Sequence, residues 1–160
     1  MDKKEKEEKL TISDIADWFM LKGKMSNKKV QKLCYYAEAW SEALYNHMIT
    51  DDAVFEAWVH GPVNAELYHR FKDCGWRDVE LKHPKKAKEK LNRMLTPEQT
   101  DLLESVWITY KDYSADDLEI LTHRERPWLE QRKGLSKFEP CQNIISRKTM
   151  REYYRSIMIK

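Results

Sequence analysis

The segment from Ser26 to Leu44 constrains the fold most. Val30, Leu33, Cys34, Ala37, Trp40, Ser41 and Leu44 recur at spacings of three and four, which places them on one face of an α-helix. A helix with such a stripe must bury it against other elements, and the rest of the chain supplies them. Thr11 with Asp14 predicts a capped helix whose Ile12, Ile15, Ala16 and Phe19 share a face. Thr96-Pro97-Glu98-Gln99 opens a second, with Leu102, Leu103, Val106, Trp107 and Tyr110 inward. Ser114 caps a third carrying Leu118 and Leu121, and Ser146 a last one carrying Met150, Tyr153, Tyr154 and Ile157. Val63, Leu67 and Phe71 form a shorter helix, with Pro62 read into its first turn.

One short segment breaks this pattern. Val54-Phe55-Glu56-Ala57-Trp58-Val59 is too short for a helix and rich in strand formers. A hairpin with residues 47–50 would satisfy one of its edges. The fold class that results is mostly α: a compact bundle of about six helices with a small β element near residues 47–60. Residues 2–9 alternate acids and bases with nothing apolar, so residues 1–10 read as a flexible charged tail and 11–160 as a single domain.

Composition excludes several functions. Four glycines, all far apart, cannot build a phosphate cradle. No apolar run is long enough to span a membrane, and the N-terminus lacks an apolar signal core. Three scattered cysteines do not make a disulfide framework, and a reducing, cytoplasmic setting is expected. A net charge of +2 gives no general pull on nucleic acid.

Against this background three kinds of chemistry remain open. A metal-dependent hydrolase would have to gather His60, His69, His83 and His123, whose intervals match no standard zinc spacing. A nucleic-acid binder would use the basic run from Lys82 to Arg93. A partner-binding module would use two polar motifs. His60-Gly61-Pro62 places an imidazole at a tight turn. Thr122-His123-Arg124-Glu125-Arg126-Pro127-Trp128 sets polar groups beside a large aromatic, and is read as a loop because the residue before proline is pushed from helical angles. Each motif can equally serve the fold, His60 by donating across its turn and Trp128 by pinning its loop. The acidic stretch from Glu98 to Glu119, with seven acids against Lys111, could complement a basic surface.

The order and spacing of KLCYYAEAWSEALY, FEAWVHGPVNAELYHRF and DYSADDLEILTHRERPW resemble the Panacea domain of SocA-like antitoxins, from about Thr11 to Tyr154. The pattern falls on Tyr35, Tyr36, Trp40, Trp58, Gly61, Pro62, Thr122 and Pro127 as structural positions, and on Lys32 as well. Cys34 stands where a leucine is usual. The resemblance implies a non-enzymatic helical antitoxin domain that binds and neutralises a cognate protein toxin, in bacteria, phages or prophages. One branch acts as an adaptor presenting its toxin to the ClpXP protease. Neither cofactor nor membrane partner is implied, and without a recognised helix-turn-helix extension direct operator binding is not expected. Motif position and polarity single out His60, Glu66, Tyr68, His123, Arg124 and Trp128 as partner contacts.

Overall fold

The computed structural model describes residues 8–75 and 77–158. The first seven residues of the expected tail lie outside the described residues. Along the chain run α1 (Ile12–Lys22), β1 (Met25–Ser26), α2 (Asn27–Tyr45), β2 (Glu56–Trp58), β3 (Gly61–Val63) and α3 (Ala65–Phe71). A 3₁₀ turn (Lys72–Cys74), β4 (Asp78–Val79), α4 (Pro84–Met94), α5 (Pro97–Tyr110), α6 (Ala115–His123), α7 (Arg126–Gln131) and α8 (Arg147–Met158) follow. The mostly helical expectation holds, with eight α-helices among the described residues.

Local side chains write the helix starts. The Thr11 hydroxyl accepts from the Asp14 N–H at 3.3 Å, and the Asp14 carboxylate accepts from the Thr11 N–H at 2.9 Å. Thr96 and Gln99 repeat this reciprocal cap on α5 at 3.1 and 2.9 Å. Each such cap is worth about 1 kcal/mol. Ser26 caps α2, Ser114 caps α6 and Asn64 caps α3 through the Leu67 N–H.

Two helices exceed the expected six. The Lys82–Arg93 run forms α4, buried mainly through Leu91. Part of the expected loop at 122–128 is helical: α6 continues to His123, and α7 begins at Arg126 with Pro127 in its first turn, where a missing N–H is harmless. Only Arg124 and Glu125 connect the two.

The β element differs from the expected pairing. β2 pairs antiparallel with β3, Trp58 opposite Gly61 and Ala57 opposite Pro62, not with residues 47–50. Residues 49 and 50 are held by Glu38 instead, whose carboxylate accepts from the Ile49 N–H, the Thr50 N–H and the Thr50 hydroxyl. Pro62 therefore lies in a strand, not in a helical turn. Ala57 gives its N–H to Asn143 O at 2.9 Å on the opposite edge, so the N–H that Pro62 lacks is one the ladder does not need. A second, unforeseen pair joins β1 to β4.

α2 is the axis. It packs against α1, α3, α5, α6, α8 and β3, and residues 30–39 are buried without a gap. The sequence predicts one apolar face; the structure buries the opposite face too, with Gln31, Lys32, Glu38 and Glu42 inside. Leu44, assigned to the buried stripe, is 42% exposed, and Ile157 is exposed as well.

Candidate partner-contact site

Buried polar groups cost free energy unless they are paired, so those of α2 locate the built part of the molecule. Gln31 Nε2 donates to Asn64 O at 3.0 Å, and Gln31 Oε1 accepts from the Asn64 N–H at 2.9 Å. Lys32 Nζ donates to Pro62 O at 3.2 Å. The outer edge of β3 is thereby covered by side chains of a helix where another strand would otherwise lie. Lys32 is fully buried, and desolvation pushes its ammonium down to about 7.

This clamp explains the glycine. Gly61 has φ +107, and a Cβ there would stand 2.6 Å from Lys32 Cε and 2.9 Å from the Thr122 hydroxyl. Any other residue there would take a strained φ and push the Lys32 and Thr122 side chains aside. Thr122 is held in turn by donating to Glu119 O at 2.8 Å.

The second motif closes on the hairpin from behind. Trp128 Nε1 donates to Trp58 O at 2.8 Å, and Arg132 Nη1 donates to Ala57 O at 2.9 Å. The His123 ring stacks on Trp128 at 3.9 Å with planes 14° apart, and the Arg132 guanidinium lies 5.0 Å from the Trp128 ring. Burial lowers the His123 pKa. Glu125, in the link between α6 and α7, accepts from Tyr36 OH at 2.7 Å and Tyr154 OH at 2.9 Å, and the Tyr154 and Tyr35 hydroxyl oxygens stand 3.1 Å apart. Burial raises the Glu125 carboxyl to about 7. Tyr36 also stacks on Tyr110 at 4.2 Å, and Trp40 Nε1 donates to Tyr110 OH at 2.8 Å.

The expected contact residues thus divide. Trp128, 6% exposed, and His123 belong to the wall behind the hairpin. His60, Glu66, Tyr68 and Arg124 are exposed. His60 sits at the hairpin tip with Nδ1 2.8 Å from Glu119 Oε1, a carboxylate that also meets Lys28 at 2.9 Å. Tyr68 packs edge-on against Trp58 at 4.9 Å. An apolar groove of about 290 Å³ opens here, lined by Trp58, Val59, His60, Val63 and the 140–142 segment.

Lys32, Gln31, Glu125 and Arg132 carry much of this arrangement, yet composition gives no sign of them as site residues. The hints are that Lys32 falls within the motif pattern and Glu125 within the Thr122–Trp128 motif. The four histidines do not gather: among the described residues no group of three His, Cys, Asp or Glu is placed to hold a metal. Part of the basic run is engaged internally, Lys90 with Asp14 at 3.0 Å and Arg93 with Glu8 at 2.6 Å. The acidic stretch meets Lys22 and Lys28 of α1 and α2 rather than α4.

Side chains of α2, α7 and the residue after it thus hold a short hairpin by its main chain and leave its tip exposed. Residues 30–129 match the model of the family described as "Antitoxin SocA-like, Panacea domain", and the chain belongs to that family. No curated protein and no solved structure matches the chain. No described helix is long and apolar enough to cross a membrane.

Proposed function

We propose that this protein is an antitoxin that binds one cognate toxin in stoichiometric complex and covers its working surface. Membership of the SocA-like family over residues 30–129 carries this reading. The hairpin supports it: its tip exposes His60, half-buried Trp58 lines an apolar groove, and the adjoining α3 exposes Glu66 and Tyr68, which together provide an aromatic centre with a polar rim, the common composition of interface hot spots. On this reading the protein is not an enzyme, works in the cytoplasm of a bacterium or its phage, and presents the toxin to a ClpXP-type protease.

The test is genetic and then biochemical. The gene beside this one is induced alone and together with this chain, and colony counts are compared. Growth arrest relieved by co-expression is the expected result, with the two proteins eluting together near equal amounts. An absence of arrest, or arrest that persists with both proteins present, overturns the reading. Toxin half-life in cells with and without ClpXP then separates delivery from simple occlusion: delivery predicts a toxin stabilised several-fold when the protease is removed.

A further inference from the structure

The hairpin is extended on its β2 edge by a single β-bridge to Ile144. Ala57 donates to Asn143 O at 2.9 Å, Ile145 donates to Phe55 O at 2.8 Å, and Glu56 stands opposite Ile144 in antiparallel register. In an antiparallel strand, alternate residues turn both backbone groups to opposite edges. Residues 143 and 145 face β2, so Gln142, Ile144 and Ser146 turn theirs away from it. Among the described residues, no hydrogen bond uses the N–H groups of these three or the carbonyls of Gln142 and Ile144. Ile144 is 61% exposed. Natural sheets usually blunt such an edge. Here Pro140 and the start of α8 keep it short, two of the usual devices, but Gln142 and Ile144 bring no charge to it.

The surroundings fit an extended chain. The apolar groove lies over this same sheet, between Val63 and Trp58 on the hairpin and Pro140, Cys141 and Gln142 on the segment leading into the edge. Phe138, 75% exposed, stands next to it in sequence. The Arg132 guanidinium donates to Ser136 O, Lys137 O and Glu139 O, which fixes the preceding loop in place. That loop carries Lys133 and Lys137, neither of which meets a carboxylate among the described residues.

We infer that residues 142–146 are a docking edge for one extended segment of the protein partner, which adds a strand beside Ile144. Main-chain hydrogen bonds hold such a segment, and alternate side chains select it. The groove takes an apolar side chain, and Lys133 and Lys137 favour acidic residues flanking it. The inference rests on the antitoxin reading and names how the toxin would be held.

The experiment uses the ¹⁵N-labelled full chain and the purified product of the neighbouring gene. Amide exchange at Gln142, Ile144 and Ser146 is followed residue by residue, free and in complex. At least tenfold slowing at Ile144 and one of its two neighbours is expected. A tight complex in which these amides exchange as in the free protein overturns the inference and leaves the antitoxin reading standing. If no complex forms and no toxicity is relieved, both fall. Ile144→Pro removes the outward N–H without touching a bond to β2, and is expected to weaken association at least 30-fold, against less than fivefold for Ile144→Ala. Equal losses would point to side-chain contact alone and overturn strand addition. Should Ile144→Pro fail to melt cooperatively, the exchange measurement on the unaltered chain decides.

Discussion

The two halves of α2 solve the same problem in different ways. In the first half, Gln31 and Lys32 are buried against main-chain atoms of Pro62 and Asn64. In the second, Glu42 is buried against the charged side chains of Arg147, at 3.1 Å, and Arg151. The arginines keep much of their surface in water while Glu42 has none. The hairpin is thus held by shape and fixed dipoles, and α8 by charge in addition to its buried Met150 and Tyr154. Disturbing the first should show as steric strain, and disturbing the second as a response to salt.

The sharpest way to break the hairpin side is Gly61→Ala. It forces a side chain into positive φ and into contact with Lys32 and Thr122. A loss of about 3 kcal/mol is expected in urea unfolding. Pairing it with Lys32→Ala should recover part of that loss, because the nearest clash is removed; strictly additive losses would refute the clamp.

On the other side, Glu42→Ala should cost about 2 kcal/mol, less than a fully buried ion pair because its arginines remain hydrated. Added salt should narrow the gap between Glu42→Ala and the unaltered protein. For Gly61→Ala, salt should leave the gap unchanged.

Acidity distinguishes the buried groups further. Glu38 and Glu125 are pushed up to about 7 by burial. The folded state therefore holds protons that the unfolded chain releases from about 4.5 upward, and these groups lower stability as pH rises from there to about 7. Lys32, pushed down to about 7, does the reverse: the unfolded chain keeps its proton up to about 10.5, and stability rises over that window. Glu125→Gln should flatten the acid limb of the melting curve against pH, and Lys32→Met the alkaline limb. A swap of those effects, or none, would discard the assignment.

Smaller effects are expected at the wall and the rim. Trp128→Phe loses the bond to Trp58 O and part of the stacked surface, for about 1–2 kcal/mol. His60→Ala should change stability by less than about 0.5 kcal/mol while weakening toxin binding at least tenfold, measured by titration calorimetry with the neighbouring gene's product.

The parts legible in the sequence are those fixed by near neighbours. Thr11 with Asp14 and Thr96 with Gln99 declare their helices because the cap spans three residues. Misread parts depend on distant ones. Lys32 looks like a solvated residue until Pro62 comes to meet it, and Glu125 looks like a loop acid until Tyr36 and Tyr154 reach it from either side. Pro62 resembles a helix start because the strand pairing that tolerates it is decided by Asn143, far along the chain. Of the two compatible roles that Trp128 has in the sequence, the bond to Trp58 O shows the structural one.

The contacts that fix the hairpin end on its main chain: on the carbonyls of Ala57, Trp58 and Pro62 and on both backbone groups of Asn64. Main-chain atoms are the same whatever residue bears them. Apart from Gly61, the outward side chains of this element are therefore free to mutate without loosening the frame that presents it. On the antitoxin reading, a lineage built on this frame exchanges one adversary for another by changing a few exposed residues, with no need to evolve a new fold.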